Sequence, residues 1–251
     1  GYVGLPSAAV FADSGIKVLG VDINEMVVTS INEGRPHIVE PGLENLLERV
    51  VKSGSLRASS SVEKSDVFVI AVPTPFMNGH KPDISFVRSA VDMIAPFLEP
   101  GNLVIIESTS PVGTTEKVGS WIREKRPDLK LPLHSENPDV FLAYCPERIL
   151  PGNVLREVVQ NDRVIGGMTV ECSNAAAEFY ANAVTGTCFL TNARAAELCK
   201  LTENAFRDVN IAFANEMSLV CDKLGVDVWE LISLANRHPR VNILNPGPGV
   251  G

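Results

Sequence analysis

Asp66-Val67-Phe68-Val69-Ile70-Ala71-Val72 is a nearly continuous apolar run, and Pro73-Thr74-Pro75 ends it. Leu103-Val104-Ile105-Ile106-Glu107-Ser108-Thr109 repeats the pattern and is followed by Pro111 and Gly113. A strand with one face in water alternates apolar and polar residues, whereas a nearly continuous apolar run is typical of a strand covered on both faces. The two stretches therefore predict a sheet buried between layers of helices.

The rest of the first 190 residues alternates strands with helices. A helix is predicted from Leu5 to Ser14, then a strand over Lys17-Val18-Leu19-Gly20-Val21-Asp22 and a helix capped by Asn24. A further strand is predicted to end at Tyr144-Cys145. The alternation predicts the α/β class, with a Rossmann-like, doubly wound and mostly parallel sheet over residues 1–190.

The pattern changes near residue 192. Asn192 can cap a long helix over residues 194–224, which Gly225 ends, and Asp227-Val228-Trp229-Glu230 can open another helix. Residues 191–251 are therefore predicted to form the start of an α-helical domain.

Large apolar residues surround most of the long helix, so we expect it to be buried on several sides. A short chain offers few partners for such a helix, which predicts a homodimer formed through residues 194–240. The apolar positions are Leu198, Leu201, Phe206, Ile211, Phe213 and Leu219.

The composition excludes several classes of function. Lys and Arg number 22 against 30 Asp and Glu, a net charge of −8, so the basic field that attracts nucleic acids or anionic membranes is absent. No apolar run reaches the length of a membrane span, and no signal peptide is recognisable. Five cysteines, none in a CxxC pair, indicate cytoplasmic thiols rather than a disulfide framework or a metal site.

A dinucleotide site is predicted at the first turn. Gly1-Tyr2-Val3-Gly4 matches the second half of the G-x-G-x-x-G pattern, in which glycines let the backbone approach a pyrophosphate at a helix N-terminus. Asp22 follows 18 residues after Gly4, where an acid can bond the adenine ribose hydroxyls and repel the extra phosphate of NADP. These residues predict NAD as the cofactor. An ordinary tight turn, and an Asp22 that only caps the following helix, remain the alternatives.

Hydroxyl side chains follow the two apolar strands. Thr74 comes after the first, and Thr109 and Thr115 flank Ser110-Pro111-Val112-Gly113 after the second. Ligands of open α/β sheets bind outside the carboxyl ends of strands, so we expect these hydroxyls to contact ribose, phosphate or substrate. The alternative is that they only form turns.

A polar stripe follows the long helix. Glu197, Lys200, Asn204 and Arg207 are spaced by 3, 4 and 3, so they share one face. If that face borders a cleft, Lys200 can act as an acid/base or as a cationic clamp. The alternative is a surface helix with a few salt bridges.

Together these motifs resemble the nucleotide-sugar 6-dehydrogenases, over essentially the whole chain. The stretches that carry the resemblance are Gly1-Tyr2-Val3-Gly4-Leu5-Pro6, Val72-Pro73-Thr74-Pro75, Ser108-Thr109-Ser110-Pro111-Val112-Gly113, Cys145-Pro146-Glu147-Arg148 and Lys200-Leu201-Thr202-Glu203-Asn204. Arg148-Ile149 stands where the UDP-glucose branch of the family has Phe-Leu, which favours the branch that acts on UDP-N-acetyl-D-mannosamine.

The resemblance implies an NAD-dependent, four-electron oxidation of the C6 alcohol of a UDP-sugar to a carboxylate. A cysteine forms a thiohemiacetal and then a thioester, which water hydrolyses. In the family that cysteine lies just beyond a turn resembling Pro246-Gly247-Pro248-Gly249-Val250-Gly251. None of the five cysteines of this chain is therefore assigned as the nucleophile.

The resemblance also implies roles for individual residues. Lys200 resembles the acid/base lysine, Asn204 the residue that holds the reacting oxygen, Glu147 the glutamate of thioester hydrolysis, and Thr109 the threonine that positions water. Lys200 and Asn204 also belong to the substrate contacts implied by the resemblance. The others are Arg148, Ile149, Arg207, His238, Arg240 and Gly251.

Compared with the family, the chain lacks the first strand, the nucleophilic cysteine and the C-terminal domain. We therefore expect a piece of a longer enzyme that is inactive alone. Three alternatives stay open: another nucleotide-sugar 6-dehydrogenase, a 3-hydroxyacid-type dehydrogenase that transfers a single hydride, and a non-catalytic nucleotide-binding or dimerisation module.

Overall fold

The computed structural model describes residues 2–77, 79, 81–132, 134–135, 137–150 and 152–249. The chain divides into two compact units, Gly1–Glu197 and Leu198–Gly251. The elements along the chain are α1 (Gly4–Asp13), β1 (Val18–Val21), α2 (Glu25–Asn32), α3 (Leu43–Lys52), β2 (Leu56–Ser59), β3 (Val67–Ile70), β4 (Phe76–Met77), β5 (Lys81–Pro82), α4 (Ser85–Ile94), β6 (Leu103–Ile106), α5 (Thr114–Lys125), β7 (Phe141–Tyr144), α6 (Val154–Gln160), β8 (Arg163–Gly167), α7 (Val170–Tyr180), β9 (Cys188–Asn192), α8 (Ala193–Leu224) and α9 (Val228–Ala235).

The first unit is built on a five-stranded sheet in the order β3-β6-β7-β8-β9. β3, β6 and β7 are parallel and end level, because Ile70 pairs with Ile106 and Ile106 with Tyr144. β8 runs antiparallel to β7, and β9 is parallel to β8. β1 and β2 form a separate parallel pair, and β4 and β5 a small antiparallel hairpin. The predicted Rossmann-like α/β fold is confirmed, with an antiparallel step that the sequence did not indicate.

Helices cover the sheet, as the apolar strands predicted. All four residues of β6 are buried, and the cluster around them includes residues of α4, α5 and β7. A second cluster joins α1, α3 and α6, and a third packs α7 on the strands through Tyr180. Burying one Val, Leu, Ile or Phe side chain stabilises a fold by roughly 1.5–3 kcal/mol, so these clusters dominate the stability of the unit.

Local capping signals explain where several helices begin and end. Asn24 Oδ1 accepts the amide of Met26 at 3.0 Å, and Asn192 Oδ1 accepts that of Ala195 at 2.9 Å. Gly225 follows α8 with a φ of 68°, a left-handed conformation that glycine adopts at low cost. The predicted long helix and its two end signals are therefore confirmed.

The second unit contains most of α8, then α9 and the residues that follow it. Asp227 Oδ1 accepts the amides of Trp229 and Glu230 and so caps α9. Two side-chain amides hold the later segment. Asn215 exchanges hydrogen bonds of 2.9 and 2.8 Å with the backbone of Gly247, and Asn236 does the same with Ile243 at 2.9 and 2.7 Å.

The expected burial of α8 on several sides is wrong for this chain by itself. Phe206 and Leu219 are each 60% exposed, and Leu198 and Phe213 are also largely exposed. The described chain does not cover these side chains, and the expected dimer through this helix stays a prediction.

Among the described residues, no helix combines the length and the apolar character that crossing a membrane requires.

Candidate active site

The carboxyl ends of β3, β6 and β7 bring three predicted site residues to one edge of the sheet. Because the three strands end level, Thr74, Thr109 and Glu147 all follow at that edge. Ser108 fastens two of the strand ends together: its hydroxyl donates to the carbonyl oxygen of Val72 at 2.7 Å and accepts the Val72 amide at 2.8 Å. The structure therefore places these residues where ligands of such sheets bind.

Thr74 and Thr109 are in direct contact. The Thr74 hydroxyl donates to the carbonyl oxygen of Thr109 at 2.6 Å, which fixes the two loops relative to each other. Both residues are half-buried, and the bond leaves the hydroxyl of Thr109 unused. The pair can thus present one hydroxyl donor and further acceptor positions to a ligand.

The glycine turn opens α1 in the way that a pyrophosphate site requires. The N-cap residue Val3 supplies no side-chain hydrogen bond, so the first amides of the helix have no side-chain cap. A Cβ added at Gly4 would lie 3.4 Å from Cβ of Ala71, so glycine permits close packing of the helix on the strand end. Tyr2 is half-exposed, with its hydroxyl 3.4 Å from the Val39 carbonyl oxygen. Gly1 lies outside the described residues.

Asp22 directly follows β1 and is half-buried. Its Oδ1 accepts the amide of Asn24 at 2.9 Å, so it does shape the turn that leads into α2. Asp22 also lies near His37: its negative charge raises the pKa of that imidazole, although burial lowers this pKa more. Only Oδ1 serves the turn, so turn formation and binding of a ribose are compatible. Asp22, the α1 amides without a side-chain cap and the loop of Thr74 together offer the groups that bind a dinucleotide. The residues present therefore fit this cofactor.

Thr115, also predicted as a dinucleotide contact, has other partners in this structure. It is completely buried, and its amide and hydroxyl both donate to Glu197 Oε1, at 2.8 and 2.7 Å. The amide of Gly113 donates to Glu197 Oε2 at 2.6 Å. The carboxylate of Glu197 therefore occupies the N-terminus of α5, and in this structure it accepts both donors of Thr115; the dinucleotide contact of Thr115 stays a prediction.

Glu147 is held in a buried ion pair. Its Oε2 lies 3.0 Å from Nη2 of Arg163, whose side chain is only 3% exposed, and its Oε1 accepts the amide of Arg148 at 2.8 Å. Arg163 Nη2 also donates to the carbonyl oxygen of Val158 at 3.1 Å. Each oxygen of an ionised carboxylate has two acceptor positions, so Glu147 can still accept a water.

A second buried carboxyl group, Glu107, belongs to the same cluster. Burial first and the charge of Glu147 second raise the pKa of Glu107 to about 7. The hydroxyl of Tyr180 donates to Glu107 Oε1 at 2.7 Å, and the guanidinium of Arg163 lies 4.5 Å above the Tyr180 ring. Sequence reasoning missed Glu107, Arg163 and Tyr180 as site residues. For Glu107 and Arg163 the sequence signal was a charged residue at the end of an apolar strand, whereas Tyr180 ends helix α7 and carried no such signal.

The loop after Glu147 is anchored along its length. Arg148 is half-buried: its Nη1 donates to the carbonyl oxygen of Asp162 at 3.2 Å, and Ile149 packs against the cluster of α1, α3 and α6. At the end of the loop, the buried Glu40 accepts the amides of Gly152 and Val154 at 3.0 and 2.8 Å. The described residues on both sides of position 151 are therefore held by contacts within the first unit.

No disulfide joins cysteines in the described part of the chain. Burial raises the pKa of Cys145, which directly follows β7, to about 12, so it stays protonated near neutral pH. A protonated, fully buried thiol is a poor nucleophile. Cys145 is therefore poorly suited to act as the nucleophile.

The second unit holds the remaining candidates. Lys200, Asn204 and Arg207 are half-buried along α8, and Arg207 Nε is buried with no hydrogen-bond partner among the described residues. His238 and Arg240 are exposed, and the amide of Arg240 donates to Nδ1 of His238 at 3.3 Å. Gly251 lies outside the described residues.

Two family models match the chain. The NAD binding domain of the UDP-glucose/GDP-mannose dehydrogenase family matches residues 1–184, and the central domain of that family matches residues 194–251. The chain belongs to the UDP-glucose/GDP-mannose dehydrogenase family. The family's NAD binding domain includes Gly4, Asp22 and Thr74, so the prediction of NAD as the cofactor is confirmed.

Characterised members of the dehydrogenase family are close in sequence. The chain is 59% identical over 252 residues to an NDP-N-acetyl-D-galactosaminuronic acid dehydrogenase of Ralstonia nicotianae, and 59% identical over 252 residues to a UDP-N-acetyl-D-mannosamine dehydrogenase of Escherichia coli K12. Both matches cover 100% of this chain and 60% of the relative. The chain therefore spans about 60% of the length of these relatives.

A solved structure in the family agrees with the fold. A UDP-D-ManNAc dehydrogenase of Pyrococcus horikoshii is 44% identical to the chain and superimposes with a TM-score of 0.93. The match covers 100% of this chain and 59% of that one. Sequence and fold together confirm the predicted relationship to the nucleotide-sugar dehydrogenases.

Proposed function

We propose that the gene product carrying this chain oxidises the C6 alcohol of UDP-N-acetyl-D-mannosamine to the carboxylate, reducing two NAD. The observation that carries this proposal is the position of Glu147, a buried carboxylate beside Thr109 at the edge of the sheet. An enzyme that stopped at the aldehyde would need no base for hydrolysis, whereas one that continues to the acid does.

The first oxidation needs a base for the C6 hydroxyl. Gly4, Asp22 and Thr74 would hold NAD, which would supply the acceptor for a hydride, the C6 hydrogen together with its bonding electron pair. Lys200 takes the proton of the C6 hydroxyl, and the side-chain amide of Asn204, one helical turn on, holds the reacting oxygen. When a cysteine thiolate then adds to the aldehyde carbon, the carbonyl π electrons move onto that oxygen, and the ammonium on Lys200 stabilises the negative charge and returns a proton to it. Loss of a second hydride from this thiohemiacetal, with its hydroxyl proton taken by Lys200, gives the thioester.

In the hydrolytic step, two residues of the first unit act on water. Thr109 holds a water, and Glu147 takes a proton from it as the water oxygen adds to the thioester carbon. The carbon–sulfur bond then breaks, and its electron pair leaves on sulfur. The cysteine that carries the thioester is not assigned to any cysteine of this chain.

A few local cations would bind the substrate despite the net charge of −8. Arg148, Arg207, His238 and Arg240 are the proposed contacts to the diphosphate and the sugar acid, because guanidinium groups bind such oxygens in pairs. Lys200 and Asn204 contact the reacting carbon's oxygen, and Ile149 and Gly251 complete the proposed substrate contacts.

The sugar has two candidates. Arg148-Ile149 and the relative of Escherichia coli favour the N-acetylmannosamine nucleotide. The equally similar relative of Ralstonia nicotianae makes the N-acetylgalactosamine nucleotide the second candidate. The two sugars differ in the stereochemistry at C2 and C4, so a pocket that bonds one hydroxyl discriminates strongly against the other.

A stoichiometry experiment tests the proposal. The purified gene product is mixed with NAD and, separately, UDP-ManNAc, UDP-GalNAc or UDP-glucose, and NADH and product are measured. Two NADH per uronate formed from UDP-ManNAc supports the proposal. One NADH per substrate indicates a single-hydride dehydrogenase. Binding of NAD without any turnover indicates a nucleotide-binding module.

We also propose that the gene product is a cytoplasmic homodimer. The exposed apolar side chains of α8 support the dimer, because surfaces of this kind on a soluble chain mark interaction sites. The lack of disulfides among the described residues supports a reducing compartment.

A further inference from the structure

Among the described residues, the cluster around Glu107 and Glu147 buries two carboxyl groups but only one guanidinium, that of Arg163. Glu107 and Glu147 are both buried, and the positive charge of Arg163 interacts with both carboxyl groups. Tyr180 and Cys145 also face the cluster, and burial raises the pKa of each. If both carboxyl groups were ionised, the enclosed cluster would carry a net negative charge, which is costly away from water.

The hydrogen-bond donors around the two carboxyl groups are unequal. Glu147 receives a charged donor, Nη2 of Arg163 at 3.0 Å, and the Arg148 amide at 2.8 Å. Glu107 receives only the neutral hydroxyl of Tyr180, at 2.7 Å on Oε1. Its Oε2 is buried with no partner among the described residues. Donors favour the ionised form of a carboxyl group, and burial without donors favours its neutral form. A proton shared by the cluster is therefore favoured on Glu107 over Glu147.

We propose that this cluster holds one proton, that Glu107 carries it, and that Arg163 is thereby the positioning residue that keeps Glu147 ionised for the hydrolytic step. The proposal rests on the proposed function for the role of Glu147. The mechanism above does not use Glu107. Because a neutral Glu107 does not compete for the positive charge of Arg163, that charge stabilises the carboxylate of Glu147.

The walls of the cluster hold Arg163 in place. Tyr180 bonds Glu107 and lies with its ring under the guanidinium, and it packs against Phe11 at 5.8 Å and Phe179 at 5.4 Å between ring centroids. An aromatic ring attracts a cation above its face, most strongly where water is excluded. The guanidinium is therefore fixed from one side by aromatic packing and from another by the Val158 carbonyl oxygen.

The first test measures the rate of thioester hydrolysis against pH in the full-length enzyme. Arg163→Gln should move the acidic limb of the profile up by about one pH unit or more, because Glu147 loses its cation. Arg163→Lys should restore most of that shift. Glu107→Gln should leave the limb in place, because an amide replaces a carboxyl group that is already neutral. Glu178→Gln, at an exposed site on α7, is the matched control.

Two results would overturn the proposal. If Glu107→Gln moved the limb down by about one pH unit, the proton would reside on Glu147. If Arg163→Gln lowered the rate without moving the limb, Arg163 would have only a structural role.

The second test does not depend on catalysis, and it separates this proposal from the proposed function. Neutron diffraction from the full-length wild-type protein at pH 6 should show deuterium on Glu107 and none on Glu147. Deuterium on Glu147, or on neither group, would contradict the proposal. If no variant turned over a UDP-sugar, the proposed function would fail, while the neutron map would still decide where the proton lies.

Discussion

The carboxylate of Glu197, in α8, accepts both the amide and the hydroxyl of Thr115, in the first turn of α5. The two residues are 82 positions apart, and both are completely buried. A negative charge at a helix N-terminus satisfies backbone amides and interacts favourably with the helix dipole. The beginning of α8 is therefore fixed to the loop that carries Thr109.

Glu197→Ala should destabilise the protein strongly. It would leave the amides of Gly113 and Thr115 and the Thr115 hydroxyl buried without a partner, a loss of about 3 kcal/mol. Urea unfolding measures this loss. Glu116→Ala is the matched control, because it removes an exposed pair with Arg194 that joins the same two helices. Equal losses for the two variants would contradict the importance of the buried cap.

Asp22→Asn should weaken NAD binding while keeping the fold. The amide oxygen can still accept the Asn24 amide, so the turn into α2 is retained, but the charge is lost. The KM for NAD should rise about tenfold, and the preference for NAD over NADP should shrink, since nothing then repels the extra phosphate. Steady-state kinetics with both dinucleotides measures this. Asp13→Asn, at an exposed pair with Arg49, should change neither quantity.

Glu107→Gln should change how stability depends on pH. The pKa of Glu107 is raised from its ordinary value of 4.5 to about 7, so its contribution to stability is fully present below pH 4.5 and is lost as the pH rises through 7. Over that interval the wild type should lose about 3 kcal/mol relative to the glutamine variant. Thermal unfolding of both proteins from pH 4 to pH 8 measures the difference. A constant difference across the range would show that Glu107 is ionised in the folded protein.

Lys200→Met should abolish turnover without loss of NAD binding. Removing a general base lowers kcat by about 10²–10⁴, whereas the proposed dinucleotide contacts lie in the first unit. Single-turnover NADH formation and dinucleotide titration measure the two effects. Lys223→Met, in the last turn of the same helix, is the control and should be active. A modest fall in kcat with a large rise in the substrate KM would instead make Lys200 a binding residue.

Local patterns in the sequence predicted the fold well. The apolar runs became β3 and β6, and capping by Asn24, Asn192 and Asp227 is present, because these features depend on neighbours a few residues away. The antiparallel β8 was missed: its direction is set by pairing with β7, which local patterning does not encode.

The site was less predictable, because its decisive contacts join distant residues. Glu107 meets Tyr180 across 73 positions, and Glu147 meets Arg163 across 16. Thr115 had the residue type and the position after a strand that are expected of a ligand contact, yet its amide and hydroxyl both donate to the carboxylate of Glu197. Spacing along one helix can place Glu197 on the same stripe as Lys200, but it cannot show which distant loop that stripe meets.

A single charge on the exposed face of α8 should dissociate the proposed dimer. The face is lined by apolar residues at helical spacing: Phe206, Val209, Phe213, Val220 and Leu224. Phe213→Asp would bury a carboxylate against apolar side chains of a second copy, at a cost of several kcal/mol that the interface would have to supply. Sedimentation of the full-length protein should show a dimer for the wild type and monomers for the variant. Phe76→Asp, at the exposed hairpin of the first unit, should remain dimeric. If Phe213→Asp also stayed dimeric, this face of α8 would not be the interface, and its apolar residues would need another partner.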